Sequence, residues 1–160
     1  MTLELIRVDD RLIHGQVLVG WTRSLGVDHI MVADDKVGAD PLQSTLMRMA
    51  APTGVKVSIL SIEKAAAALG GGEFDGDRVL ALVRGPAELS QLRRAGVPFD
   101  RVNVGNVHSG PGRSKLTKEV YASAEELATW RELIQAGVQL FAQWLPDQAR
   151  TDLGPIVQRG

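Results

Sequence analysis

Short apolar runs alternate with stretches of helical period along most of this chain. Leu3 to Val8 is the first run, a strand that ends in Asp9-Asp10. Gly15 to Leu25 carries Val17, Leu18, Trp21 and Leu25 at helical spacing, and Gly26 suits a helix end. That register places Trp21 in the core. Asp28 to Ala33 is a second strand, closed by Asp34-Asp35-Lys36, which reads as a solvated turn. Asp40 before Pro41 is an N-cap followed by proline at the first helical position. The helix runs through Leu42, Leu46 and Met49 and stops before Pro52. Val55 to Leu60 is a third strand, and Ser61 caps an alanine-rich helix from Ile62 to Leu69. After the acidic turn Glu73 to Asp77, Arg78 to Val83 is a fourth strand. Pro86 opens a helix through Leu89 and Leu92, ended by Gly96.

Phe99 to Val104 is a fifth strand and Gly105 to Lys115 a glycine-rich polar loop. Lys118 to Ala122 reads as a short sixth strand. Ser123 and Glu126 have capping-box spacing ahead of a helix that carries Leu127, Trp130, Leu133 and Ile134. Val138 to Trp144 is a seventh strand. The tail Ala149 to Gly160 is assigned neither to a helix nor to a disordered end. Several strands are near-continuous apolar runs, as in sheets covered on both faces. Strand–helix–strand units imply right-handed crossovers. The expected fold class is α/β: a single doubly wound domain, residues 1–160, with a mostly parallel sheet of about seven strands and helices on both faces.

Composition narrows the function. A net charge of −1 gives no global field for nucleic acid or anionic lipid. The absence of cysteine excludes disulfides, thiolate catalysis and Cys-based metal sites, and fits a reducing compartment. Charges interrupt the N-terminus too early for a signal peptide. No apolar stretch approaches the roughly 18 to 20 residues of a membrane span. A cytoplasmic protein that meets a membrane only through partners is the expectation.

In open α/β sheets, ligands sit beyond the carboxyl ends of the strands. There the chain concentrates polar residues, above all in Arg7-Val-Asp-Asp-Arg-Leu-Ile-His14-Gly-Gln16. His14 in this knot suits a phosphoryl acceptor. Backbone N–H groups from Gly15 and Gln16 onward can meet an anion at the helix start. Arg7 and Arg11 can offer forked donors to phosphate oxygens. Asp9 or Asp10 can fix the imidazole tautomer, provided that carboxylate faces the ring or an arginine. His108, Ser109, Arg84 and Arg113 either line the same pocket or belong to turns. His29 starts a strand at the opposite end of the sheet. With three histidines and no ligand spacing, no metal site is expected. No Walker loop, dinucleotide fingerprint or Gly-x-Ser-x-Gly elbow is present.

The run Arg7 to Val17 followed by Trp21 resembles the active-site signature of enzyme IIB of the mannose/fructose/sorbose family of the bacterial phosphotransferase system. Val32-Ala-Asp-Asp35, Leu46 to Ala50, Arg84 before Pro86, Asn103-Val-Gly-Asn106 and Gly137-Val138 are similar in the same order. The resemblance implies that His14, through Nδ1, accepts phosphate from a phosphohistidine on a IIA protein. The phosphate then passes to a sugar entering through membrane subunits IIC and IID. Arg7, Asp9, Asp10, Arg11 and Gly15 would form the active-site loop, with Arg11 the best phosphate clamp, and no cofactor is implied. A homodimer is the base-rate expectation. Two other readings remain: a regulatory phosphoprotein that feeds no transporter, and a binding module with no covalent step.

Overall fold

The computed structural model describes residues 1–159; Gly160, the last residue of the tail, lies outside them. Nine strands and seven helices are assigned within that range. In chain order these are β1 (Thr2–Asp9), α1 (Gly15–Leu25), β2 (His29–Ala33), α2 (Asp35–Gly38), α3 (Pro41–Ala50), β3 (Lys56–Leu60), α4 (Ile62–Gly70) and β4 (Arg78–Val83). Then follow α5 (Pro86–Arg94), β5 (Arg101–Asn106), β6 (Arg113–Lys115), β7 (Tyr121–Ser123), α6 (Ala124–Gln135), β8 (Gln139–Ala142), β9 (Thr151–Asp152) and α7 (Gly154–Arg159). The main sheet has seven strands in the order β3-β2-β4-β1-β5-β8-β9, so the first strand of the chain is its centre. Six strands are parallel, and β9 adds to β8 antiparallel.

The strand count matches the expectation, but one member differs. The expected sixth strand, Lys118 to Ala122, does not join the sheet. Thr117 to Val120 makes a tight turn, and Tyr121–Ser123 pairs with Arg113–Lys115 in a separate antiparallel ribbon. With charged Lys118 and Glu119 at its start, the segment lacks the two-sided apolar character that a central parallel strand needs. The seventh place is taken by Thr151–Asp152, within the tail. The strand expected through Trp144 ends at Ala142, so Gln143 and Trp144 are free to serve the site.

Alternation along β1 divides the core. Ile6 and Val8 face a cluster that includes Leu89 and Leu92 of α5 and Trp130 and Leu133 of α6. Leu5 faces the other cluster, with Val17, Leu18 and Trp21 of α1, Leu80, Leu82 and Phe141. Arg7 and Asp9 occupy that second face too, and both are buried. Trp21 is buried, as its register predicts. Capping follows the sequence: Asp40 accepts from Leu42 and Gln43 N–H at 3.0 and 3.1 Å, and Ser123 and Glu126 make a reciprocal capping box.

Asp34 departs from the solvated turn expected of it. It is buried, accepts from Val37 N–H at 3.0 Å as the cap of α2, and pairs with Arg84 at 3.3 Å. Helix α3 departs as well, since it has no buried residue. His29 lies at the far end of the sheet, between Asp77 at 2.9 Å and Ser58 at 2.8 Å, with Phe74 edge-on. No helix among the described residues is long and apolar enough to cross a membrane.

Candidate active site

The five residues between β1 and α1 are held by a turn that Asp9 builds. Its carboxylate accepts from Arg11 N–H at 3.0 Å, and its carbonyl accepts from Leu12 N–H at 2.9 Å. Leu12 sits at φ 57°, a left-handed conformation that a branched residue adopts only under constraint. The constraint is burial: Leu12 and Ile13 are inserted into the Trp21 cluster. Two apolar anchors and one buried carboxylate thus fix the approach to His14.

His14 is the N-cap of α1, with extended backbone and no cap bond from its side chain. The ring is therefore not spent on the helix end. The first N–H groups of α1 have no carbonyl four residues back, and no acidic residue stands in the first turn to claim them. Arg11 Nη1 stands 3.4 Å from His14 Nε2. Arginine can only donate, so Nε2 presents its lone pair there. Nδ1 is buried without a hydrogen-bond partner. The Arg11 guanidinium lies 5.1 Å over the Trp144 ring, and its Nε is 3.7 Å from Asp9. Nε and Nη2 of Arg11 make no hydrogen bond, so this guanidinium keeps unused donors.

Arg7 is placed elsewhere than the sequence suggests. Expected to reach phosphate oxygens, it is fully buried within the sheet. Its Nη1 donates to Asn103 Oδ1 and to the Gln143 carbonyl at 3.0 Å, and Nη2 is 3.6 Å from Asp9. The Trp21 ring lies 5.3 Å from its Cζ. Strand alternation explains this, because residue 7 of β1 must enter one face or the other. Burial lowers the Arg7 pKa to about 10, against the pull of Asp9, so the group stays charged at neutral pH. Burial also raises the Asp9 pKa, opposed by the Arg11 N–H and by both arginines. Arg7 meets the loop through Asp9, whose carboxylate lies 3.6 Å from its Nη2.

Neither aspartate takes the imidazole hydrogen of His14. Asp9 faces arginines, and Asp10 serves a different histidine. The Asp10 carboxylate accepts from His108 N–H at 2.8 Å, from Asn106 at 3.1 Å, and lies 2.8 Å from His108 Nδ1. Arg84 donates to the Asp10 carbonyl at 3.0 Å, and Arg113 pairs with Glu126 at 3.1 Å. Arg84 and Arg113 line a cavity of about 250 Å³ with Asp10, Glu88, Glu125 and Glu126. His108 and Ser109 are exposed outside that lining, as is Gln16 on the first turn of α1.

The structure thus brings Arg7, Asp9, Arg11, His14 and Gly15 into one connected unit. It ties Asp10, His108, Arg84 and Arg113 into a second one alongside. Sequence reasoning missed Trp144, Asn103, Asn106 and Gln143. Asn103 and Asn106 carried part of the family resemblance but no role, and Asn103 is a polar residue inside an apolar strand, which marks a buried partner for some other polar group.

The sequence model of the PTS system sorbose subfamily IIB component matches residues 3–160. The sorbose-specific EIIB component of Lacticaseibacillus casei is 36% identical over 140 residues, 88% of this chain and 85% of that protein. The fructose-specific EIIB component of Bacillus subtilis is 34% identical over 158 residues, 99% and 97%. The crystal structure of the IIBSor domain of the sorbose permease from Klebsiella pneumoniae superposes with a TM-score of 0.93 at 32% identity, covering 99% of this chain and 98% of that one. Sequence and fold therefore agree that this chain belongs to the sorbose-subfamily IIB components of the sugar phosphotransferase system.

Proposed function

We propose that His14 is the phosphoryl carrier of this IIB component, taking phosphate from a phosphohistidine on a IIA protein and passing it to a sugar held by IIC and IID membrane subunits. The observation that carries this reading is the geometry at the start of α1. A histidine caps a helix whose first turn has no acidic residue, and an arginine with unused donors stands 3.4 Å away. In the transfer, a ring nitrogen of His14 attacks phosphorus as the donor N–P bond breaks, and the lone pair returns to the donor imidazole. Arg11 and the α1 N–H groups meet the equatorial oxygens, where charge builds in a loose transition state. Reversal of the same motion toward a sugar hydroxyl leaves phosphate on the sugar and a proton to be carried off.

Transfer through Nδ1 requires the imidazole to turn about its Cβ–Cγ bond, since Nδ1 is buried and Nε2 faces Arg11, and its proton to move to Nε2 so that Nδ1 holds the attacking lone pair. Residues 1–160 act here as one IIB domain in the cytoplasm, reaching the membrane through partner subunits. The test is incubation with phosphoenolpyruvate, the general phosphotransferase proteins and a IIA protein, followed by mapping of acid-labile phosphate at alkaline pH. Label on His14, lost in His14→Ala, is the expected result. Nitrogen chemical shifts of the labelled ring assign the atom. A charged IIA protein that leaves His14 unlabelled overturns the reading.

A further inference from the structure

Helix α3 is built the wrong way round for a core helix. Leu42, Leu46 and Met49 recur at positions i, i+4 and i+7, a single stripe, and they are 69%, 57% and 78% exposed. Met1 is the only other large hydrophobic residue so exposed among the described residues. Scattered apolar side chains need no explanation, but three in one row on a helix with no buried residue do.

The stripe leads to the site. A Cβ built on Gly15 would lie 3.0 Å from the carbonyl of Ala50, the last residue of α3. The C-terminal end of the stripe therefore abuts the residue that follows His14. A partner seated on Leu46 and Met49 that reaches past the end of α3 meets the residue next to His14. Arg48, exposed near the same end of α3 with its Nη1 on the Val57 carbonyl at 2.6 Å, gives that end a positive charge.

We infer that the α3 stripe is the docking surface for the phosphohistidine donor protein, an inference that rests on the carrier role proposed for His14. Three side chains offer a few hundred Å² at most, well short of the roughly 800 Å² per partner of a stable complex. That size suits an encounter that must dissociate after each transfer. A second copy seated there would compete with the donor for the surface beside His14. The cationic end fits a partner that arrives with a phosphoanion in preference to one that presents a neutral sugar.

The test is the double substitution Leu46→Gln and Met49→Gln, which keeps good helix formers on an exposed face. Transfer from the phosphorylated donor protein is measured over a range of donor concentrations, beside labelling of His14 by the small donor phosphoramidate. The expected result is a rise in KM for the protein donor of at least about tenfold. The rate at saturation stays within about twofold, phosphoramidate labelling matches the parent, and the melting temperature is unchanged. A KM within about twofold of the parent overturns the inference. So does a loss confined to sugar phosphorylation in vesicles carrying the membrane subunits, or light scattering that shows a parent dimer made monomeric by the substitutions. No label on His14 of the parent from either donor overturns the carrier role itself, and this inference with it.

Discussion

Replacing Gly105 by alanine probes how the buried Arg7 is held. A Cβ at residue 105 would fall 2.1 Å from both Cζ and Nη2 of Arg7 and 2.6 Å from Nη1. Ordinary contact begins near about 3.5 Å, so the guanidinium must retreat by more than ~1 Å. Most arginine tips could do so cheaply. This one is pinned by Asn103, the Gln143 carbonyl, Asp9 and the Trp21 ring. Each charged hydrogen bond lost there is worth about 1.5–3 kcal/mol, and breaking a buried charge pair costs about 3–5 kcal/mol. Gly105→Ala should therefore lower the unfolding free energy by about 3–5 kcal/mol, read from urea titrations at constant m. The decisive comparison is the same substitution in an Arg7→Met background. With the guanidinium gone, alanine at 105 should cost under about 1 kcal/mol, a coupling of at least about 2 kcal/mol. Equal costs in the two backgrounds would refute the argument, as would a Gly105→Ala protein within about 0.5 kcal/mol of the parent.

Two further predictions concern the flanking network. Asp10→Ala strips acceptors from the His108 N–H and from Asn106, so amide exchange at His108 should quicken while the core amides keep their protection. Unaltered exchange at His108 would show that Asp10 does not tether the loop. Glu88 has its pKa raised from 4.5, first by burial and further by Asp34, against hydrogen bonds from its own and the Gly85 N–H and the pull of Arg84. A carboxyl with a raised folded pKa gives its full contribution below the unfolded value and loses it as pH rises through the folded one. Glu88→Gln should thus match the parent at pH 4 and melt progressively above it as pH rises. A difference constant across pH would count against this.

The fold was largely legible because its strands are apolar runs and its helices carry explicit ends. Ser61, Asp40 and the Ser123–Glu126 box all cap as their spacing implies. What escaped were choices made by tertiary contact. Thr151–Asp152 is too short to announce itself and becomes a strand only because β8 has an open edge. The stripe of α3 has the same period whether it faces a core or a partner, so sequence cannot say which. His14 and Arg11 stood out because they lie in one short run. The partners of Asp10 and Arg7 did not, because they come from residues 98 and 136 positions away. Arg7 was misplaced for a related reason: an arginine near a histidine invites a phosphate, and only the pleat of β1 turns it inward.

The central place of β1 has a consequence for the order in which the molecule can assemble. Its neighbours are β4 and β5, both made long after it, and β2 and β3 reach it only through β4. During synthesis the first strand must wait, unpaired, until β4, which ends at Val83, has left the ribosome. Arg7 waits longer still, since the carbonyl of Gln143 follows β8. A nascent chain short of that point can form helices and local pairs, but its guanidinium has no acceptor there to settle on. The buried arginine behind the His14 loop thus gains its full set of partners only after six of the seven strands of the sheet have been made.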